Sequence, residues 1–390
     1  MSAAGPSPPP GQRFWGLALA AVTGLGCLWR LHNALTVGRF ADEEICIGIA
    51  ARVLDPGAPW PLHGGDHPAL AIYLLAASAW AFGPTLFGYR LLSVLAGSLT
   101  VAVLALAVAR SSARREALLA AVLLAANPFH AGLSALAIEL PFQLLFVTVA
   151  LWLLSGTPLA RRGLVAAAIA LGLAFLCSES TLLVGLAWAL VLWRRSESTS
   201  LTRRDYALAA GAGLIVVAPD LFYNFTARGP DLVYAHYRYV NYLDHLARIA
   251  HPSFSLQGLG FFLRDAFNAG LGHFPPVWQE DRCEYAGPGI TLGIVLLLGW
   301  LSSFGKGGDP AGGFWSLAPL LFVLVASFTG PGPSPTLDPP TWTWPAPALP
   351  LVTAGAARLL DSHWRRAWPL LVAVLVALLL RSPASLIPCE

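Results

Sequence analysis

Long apolar stretches, separated by short arginine-rich segments, run through almost the whole sequence. Hydrophobic residues make up 56% of the 390 positions and charged residues only 12%, against about 25% charged in a soluble domain. Because lipid cannot hydrogen-bond the backbone, apolar stretches of this length cross a bilayer as helices. The sequence therefore predicts an all-α polytopic membrane protein with about 11 transmembrane helices and with interfacial helices in the first outside loop. A span needs roughly 20 apolar residues, and several of the predicted spans are shorter. The net charge of +3 is too small to indicate a nucleic-acid partner.

The same pattern divides the chain into segments. The N-terminus at 1–13 is rich in proline and is predicted to be disordered. The other predicted segments are a membrane core at 14–223 with an outside loop at 32–88, an outside loop with an amphipathic helix at 224–287, C-terminal transmembrane helices at 288–382, and a short tail at 383–390. No soluble domain is expected after the last span.

Three consecutive acids, Asp42, Glu43 and Glu44, follow the first apolar stretch, within the segment Arg39–Leu70. Acidic groups beside a membrane span are unfavourable unless they stay hydrated or have a function. Neighbouring carboxylates near apolar surface suit proton abstraction. Asp42 and Glu43 are therefore candidate catalytic residues, Asp42 as the base and Glu43 as its support. The alternative is a hydrated segment in which Asp42 caps a short surface helix that continues to Leu54.

Four further polar positions stand out at the edges of apolar stretches. Asp66 and His67, in the sequence HGGDH, carry groups that suit divalent metal ions, although a glycine-rich turn produces the same letters without a metal. Arg90 begins a later span, where a guanidinium either binds phosphate through paired hydrogen bonds or extends to the interface. Glu139 lies at the outer end of another span, and ionisable groups at membrane depth usually have a function.

The distribution of charge leaves two topologies. Alternating spans place the arginine clusters on one side, which is cytoplasmic by the positive-inside rule. If the segment His67–Gly83 does not cross the membrane, the acidic segment lies outside; if it crosses, the acidic segment lies inside. The first topology is favoured because only there does the acidic segment share a face with the other candidate residues. His130 reaches the same face and is interpreted as an ordinary interfacial histidine.

The order of these motifs resembles that of the membrane glycosyltransferases with the GT-C fold. The likeness is greatest to the bacterial relatives of dolichyl-phosphate-mannose–protein mannosyltransferase and of the lipid A aminoarabinose transferases. It covers about residues 14–195 and fades afterwards. The matching features are Asp42-Glu43 after the first span, Asp66-His67-Pro68, a glycine at Gly83 followed by Arg90-Leu91 and Ser93, a further glycine at Gly97, and the acid Glu139.

The resemblance implies an inverting transfer of a sugar from a polyprenyl-phosphate carrier to a hydroxyl of a glycan, lipid or protein. The active site would face outward from a bacterial cytoplasmic membrane. Asp42 would be the base, Glu43 its support, and Arg90 the ligand of the donor phosphate. The acceptor, or a divalent metal ion, would be organised by Asp66, His67 and Glu139. Asp66 and Glu139 are the candidate metal ligands.

The sequence also departs from the family pattern. Ala69 replaces a second proline, Glu139 stands where aspartate is more usual, and Cys177–Ser180 lacks a lysine that is frequent there. Two other functions therefore stay open. One is a lipid or glycan transporter, which would need ionisable residues in mid-span or paired broken helices, and neither is evident. The other is an inactive relative that acts as an assembly partner.

Overall fold

The computed structural model describes residues 10–39, 41–57, 69–155, 159–178 and 201–226, together with a few single positions beyond them. The regular elements of these residues are helices: α1 (Pro10–Thr36), α2 (Ala41–Val53), α3 (Ala69–Phe82), α4 (Leu86–Ser111), α5 (Arg114–Ala125), α6 (Pro128–Leu133), α7 (Leu140–Leu154), α8 (Arg161–Phe175) and α9 (Arg203–Thr226). The predicted all-α fold is confirmed. The predicted outside loop at 224–287 beyond its first residues, and almost all of the helices at 288–382, lie outside the described residues, so the count of about 11 helices stays a prediction.

Three of the described helices are long and apolar enough to span a bilayer. They are Phe14–Thr36, Leu86–Ser111 and Arg203–Phe222, and two apolar helices, Ala69–Phe82 and Leu140–Leu154, are shorter. Large apolar side chains on α1, such as Phe14 and Leu17, are more than two-thirds exposed. Such a surface is stable in lipid and unfavourable in water. The chain is an integral membrane protein.

The described helices have an acidic end and a basic end. At the basic end, Trp15 at the start of α1 donates to the Arg114 carbonyl at the start of α5. Arg110, in the last turn of α4, donates to the Trp152 carbonyl near the end of α7. At the acidic end, Arg90 in the first turns of α4 contacts the last residues of α1. Neighbouring helices α1 and α4 are therefore antiparallel, as the alternation of spans predicts.

A tight turn joins α3 to α4. Gly83 has a φ of 92°, a backbone conformation that residues with a Cβ rarely adopt. The Thr85 hydroxyl accepts a hydrogen bond from the Gly88 backbone N–H and so caps α4. The Ser78 hydroxyl donates to the Gly88 carbonyl at 2.5 Å. Because a Cβ on Gly88 would overlap the Gly83 carbonyl, glycines at both positions allow the two helices to approach.

The apolar stretch Ala117–Gly132 predicts a single span, but the structure has two helices there, α5 and α6, so the prediction of one continuous helix is wrong. The residue before a proline is biased away from helical geometry, and Asn127, before Pro128, is extended with φ −71° and ψ 116°. Its side chain accepts a hydrogen bond from the His130 backbone N–H at 2.9 Å. The signal was present in the sequence, because asparagine followed by proline is a common start of a helix.

Helix α4 lies at the centre of the described bundle, packed against α1, α3, α5 and α7. Its buried surface includes small residues, and a Cβ on Gly97 would overlap the Ser134 side chain. Helix α2 packs on α3 and buries Glu43, Cys46 and Ala50, while Ile45 stays half exposed. The bundle therefore turns polar and small residues of α2 inward, at the acidic end.

Candidate active site

A buried ion pair between Glu43 and Arg90 forms the centre of the acidic end. Arg90 Nε donates to Glu43 Oε1 at 2.7 Å, and Nη2 donates to Oε2 at 2.5 Å. Both side chains have 0% exposure. This two-bond geometry between guanidinium and carboxylate is the strongest type of protein ion pair. It joins α2 to α4 across 47 residues of sequence.

Arg90 also holds the end of α1. Its Nη1 donates to the carbonyls of Ala34 and Val37 at 2.9 and 2.8 Å, and its Nη2 donates to the Gly38 carbonyl at 2.8 Å. A guanidinium has five N–H donors. The three hydrogen bonds to these carbonyls and the two to Glu43 together use all five. In this arrangement Arg90 holds Glu43 and the backbone at the end of α1, so a contact with a donor phosphate would have to replace one of these hydrogen bonds. The predicted role of Arg90 as the phosphate ligand stays a prediction.

Glu43 connects the ion pair to the segment before α7. The Ala137 backbone N–H donates to Glu43 Oε1 at 2.7 Å. Glu139 follows two residues later, directly before the first helical residue of α7. Two of the sequence-predicted site residues, Glu43 and Glu139, are thus brought to one end of the bundle, although they are nearly one hundred positions apart in the sequence.

Two buried thiols flank Glu139. Cys46 Sγ lies 3.9 Å from Glu139 Oε2, within the distance of a weak sulfur hydrogen bond. Cys177 follows α8 and is fully buried; burial and the charge of Glu139 raise the pKa of its thiol well above the usual value. Because a raised pKa keeps a thiol protonated at neutral pH, Cys177 is present there as a neutral thiol beside the carboxylate.

Three predicted residues are described less fully. Asp42 is the second residue of α2, so its backbone lies at the acidic end beside Glu43, but its side chain is outside the described part. Asp66 and His67 lie outside the described residues altogether. Consecutive residues of a helix are about 100° apart around its axis, so Asp42 occupies a different position around α2 from the buried Glu43.

The sequence interpretation missed Cys46 and Cys177, and it treated His130 as an ordinary histidine. Cys46 comes three residues after Glu43, a spacing that places two residues on one helix face. A helix at α2 therefore predicts that Cys46 and Glu43 lie on the same side. His130 is fully buried against Arg30, with 2.5 Å between His130 Nδ1 and Arg30 Nη2. Nothing in the local sequence indicates that contact.

Metal-ligating side chains do not form a group of three within the part of the chain that the structure describes. Glu139, one of the two candidate ligands, has thiols beside it there, and hard divalent ions prefer oxygen ligands. Asp66, the other candidate, lies outside the described residues. The predicted divalent metal therefore stays a prediction.

Comparison with known proteins gives a consistent picture. Residues 66–223 match the family model described as dolichyl-phosphate-mannose-protein mannosyltransferase. ArnT from Cupriavidus metallidurans in the apo state has a similar structure, with a TM-score of 0.66 at 17% sequence identity over 93% of this chain. The chain has the GT-C fold. The resemblance predicted from the sequence is confirmed.

Other GT-C structures match at lower similarity. The apo oligosaccharyltransferase of Archaeoglobus fulgidus gives a TM-score of 0.54 at 16% identity, over 96% of this chain and 54% of that chain. ArnT bound to undecaprenyl phosphate gives 0.65 at 17% identity over 92% of this chain. The chain spans 62% of the length of either ArnT chain. No curated protein matches the sequence.

Proposed function

We propose that this GT-C chain is an inverting glycosyltransferase that moves a sugar from a polyprenyl-phosphate carrier to an acceptor hydroxyl. The observation that carries the proposal is the Glu43–Arg90 ion pair, which fixes the start of α2 at the acidic end of the bundle. The ArnT structure that contains undecaprenyl phosphate supports a lipid-linked donor. The acceptor is a glycan, a lipid or a protein.

Asp42 is the proposed base. It removes the proton from the acceptor hydroxyl as the oxygen attacks the anomeric carbon of the sugar. The bond between that carbon and the phosphate oxygen breaks, and its electron pair leaves with the polyprenyl phosphate. A base must reach the proton that it abstracts, and Glu43, with both oxygens engaged by Arg90 and Ala137, is already committed. The neighbouring Asp42 is the better candidate for contact with substrate.

Glu43 and Arg90 are proposed as positioning residues. The buried two-bond ion pair, with the remaining donors of Arg90 bound to α1, holds α2 in one orientation. Such rigid support keeps a reactive group on the helix within a fraction of an ångström of its productive position. The predicted role of Arg90 as the phosphate ligand would require it to release at least one of these contacts. A positioning role requires no such change and explains why all five donors are used.

The proposed role of Glu139 is to orient the acceptor at the same end, together with Asp66 and His67. If a divalent ion takes part, Asp66 and Glu139 are its proposed ligands, and it would stabilise negative charge on the leaving phosphate. In another protein of this fold, the Archaeoglobus fulgidus oligosaccharyltransferase, a complex with Zn and sulfate is known. The roles given above to Asp42, Glu43 and Arg90 do not depend on a metal.

The two ends of the bundle support a proposed orientation in the membrane. Arg110, Arg114 and Arg161 lie at the basic end of their helices, opposite Glu43. By the positive-inside rule, the proposed orientation has the basic end in the cytoplasm and the acidic end outside; the proposed membrane is the bacterial cytoplasmic membrane. Reporter fusions test this: Gly64 should be outside and Ser112 inside. A cytoplasmic reporter at Gly64 would reverse the proposed orientation.

The test of function is transfer by the purified chain from a panel of polyprenyl-phosphate sugars. Asp42→Asn should abolish transfer while the variant still inserts and unfolds at the wild-type temperature, because an amide cannot accept the proton. Glu44→Gln is the matched control, since Glu44 is a neighbouring acid that is 57% exposed, and it should transfer normally. Full activity of Asp42→Asn would contradict the proposal that Asp42 is the base. Absence of transfer by the wild type with every donor would contradict the proposal that the protein is a glycosyltransferase.

A further inference from the structure

Two tryptophan–arginine pairs lie at the basic end of the bundle. The guanidinium of Arg110 lies over the ring of Trp152, with its Cζ 4.6 Å from the ring centroid, and Arg110 Nη1 donates to the Trp152 carbonyl at 2.7 Å. Arg114 lies over the ring of Trp15 at 5.8 Å, and Trp15 Nε1 donates to the Arg114 carbonyl at 3.2 Å. Both ring distances are within the range of cation–π interactions. The α4–α5 corner, residues 110–114, is therefore held between a tryptophan of α1 and a tryptophan of α7.

The start of α1 indicates where the lipid begins beside this corner. The apolar span of α1 starts at Phe14, and the side chains of Phe14 and Leu17 are 74% and 71% exposed. Large apolar side chains that are so exposed are stable in contact with acyl chains. Trp15 lies between them in the sequence, and tryptophan is enriched where acyl chains meet headgroups. The pair of Trp15 and Arg114 therefore lies at the depth of the lipid headgroups.

Arg110 and Arg114 carry their positive charges on the surface of the protein at this depth. Both side chains are exposed, and the indole that each contacts is a neutral partner. A cation–π contact orients a guanidinium and does not cancel its charge. Arg161, elsewhere at the basic end, differs because it contacts an acid: its Nε lies 3.4 Å from Asp205 Oδ1. The α4–α5 corner therefore presents two oriented positive charges to the headgroup region.

We propose that the α4–α5 corner binds the headgroup of an anionic phospholipid through Arg110 and Arg114. Guanidinium forms charge-assisted, paired hydrogen bonds with phosphate, and a net negative headgroup complements two neighbouring positive charges. A lipid is favoured over a free anion because Phe14 and Leu17 place acyl chains next to the same corner. In the proposed orientation the lipid belongs to the cytoplasmic leaflet, whose anionic lipids attract basic segments close to a span.

This lipid site is separate from the proposed active site. Arg90, which binds Glu43, lies in the first turns of α4, and Arg110 lies in its last turn. That separation corresponds to about 30 Å along the helix. Binding of a headgroup at the α4–α5 corner therefore does not depend on the proposed transferase activity, and it can be measured without a sugar donor.

The experiment measures the apparent unfolding temperature of the purified full chain in non-ionic detergent by circular dichroism. Phosphatidylglycerol is titrated into the micelles and compared with phosphatidylcholine of the same acyl chains, and inorganic phosphate is the third arm, which tests a free anion. A ligand that binds only the folded state raises the unfolding temperature. We expect phosphatidylglycerol to raise it by roughly a few degrees more than phosphatidylcholine does, with a smaller difference at high salt. Inorganic phosphate should have no such effect.

Arg110→Gln and Arg114→Gln test the two guanidiniums. Each variant should need a roughly fivefold higher concentration of phosphatidylglycerol for half of the shift, and the double variant should respond to phosphatidylglycerol no more than to phosphatidylcholine. Arg161→Gln is the matched control, since it removes the same charge from a side chain that is 60% exposed at the same end, and it should keep the wild-type response. Arg114→Lys should keep part of the response, because the charge stays while the two-bond geometry is lost.

Each other outcome counts against the proposal. Equal shifts by the two phospholipids in the wild type would overturn it. An equal loss of response in Arg161→Gln and Arg114→Gln would show that the whole basic end attracts the lipid through its general field, and would overturn the assignment to the α4–α5 corner. Stabilisation by inorganic phosphate as large as that by phosphatidylglycerol would contradict the assignment to a lipid. Should the double variant fail to fold, the two single variants still decide.

Discussion

Removing Arg90 while leaving Glu43 in place tests the structural argument of the acidic end most directly. The proposed variant is Arg90→Met, which keeps most of the side-chain length and removes the charge and all five donors. Glu43 would then be a buried anion that has lost both of its hydrogen bonds from the guanidinium. Three carbonyls at the end of α1 would also lose their donor.

The expected loss follows from the burial of the pair. Because both side chains have 0% exposure, breaking the pair from one side should reduce the free energy of unfolding by about 3–5 kcal/mol. An exposed pair in the same region gives the comparison: Arg39 and Glu44 are 66% and 57% exposed and 3.6 Å apart. Arg39→Gln should cost at most about 1 kcal/mol.

The measurement is thermal or denaturant unfolding of the purified chain, followed by tryptophan fluorescence for Arg90→Met, Arg39→Gln and the double variant Glu43→Leu/Arg90→Met. The double variant should recover part of the stability lost in Arg90→Met, because it leaves no uncompensated charge inside the bundle. Arg90→Lys should be intermediate, since an ammonium cannot reproduce the two-bond geometry. If Arg90→Met is no more destabilising than Arg39→Gln, the buried pair does not hold α2.

Two further predictions concern glycines. Gly97→Ala should lower the free energy of unfolding by about 1–3 kcal/mol, because the new Cβ overlaps Ser134. Adding Ser134→Gly to this variant should restore part of the lost stability. Gly48→Ala is the control, because a Cβ there meets nothing within 4 Å. Gly83→Ala should cost about 1–2 kcal/mol because of its φ of 92°, whereas Gly38→Ala, which meets nothing within 4 Å, should be close to neutral. Equal stability of each variant and its control would contradict the packing and backbone arguments, respectively.

Local sequence predicted most of the described helices well. The apolar stretches Tyr89–Ala109 and Pro141–Ser155, which their composition predicts as spans, correspond to α4 and α7 within three residues at each end. A short helix after the first span, with Asp42 near its start, corresponds to α2. These predictions succeed because apolar length and the start signals of helices are properties of neighbouring residues. The one split span, at Asn127, shows that a start signal can lie within a continuous apolar stretch.

By itself, the sequence determined that the chain is a helical membrane protein and that three acids follow its first span. Composition and the order of residues along the chain decide these features. The tertiary structure decided which of those residues meet. It paired Arg90 with Glu43 across 47 positions and Arg30 with His130 across 100. No local periodicity encodes such contacts, because they arise only when α1, α2, α4 and α6 pack together. In the low-dielectric interior that this packing creates, a buried charge is stable only beside groups that compensate it.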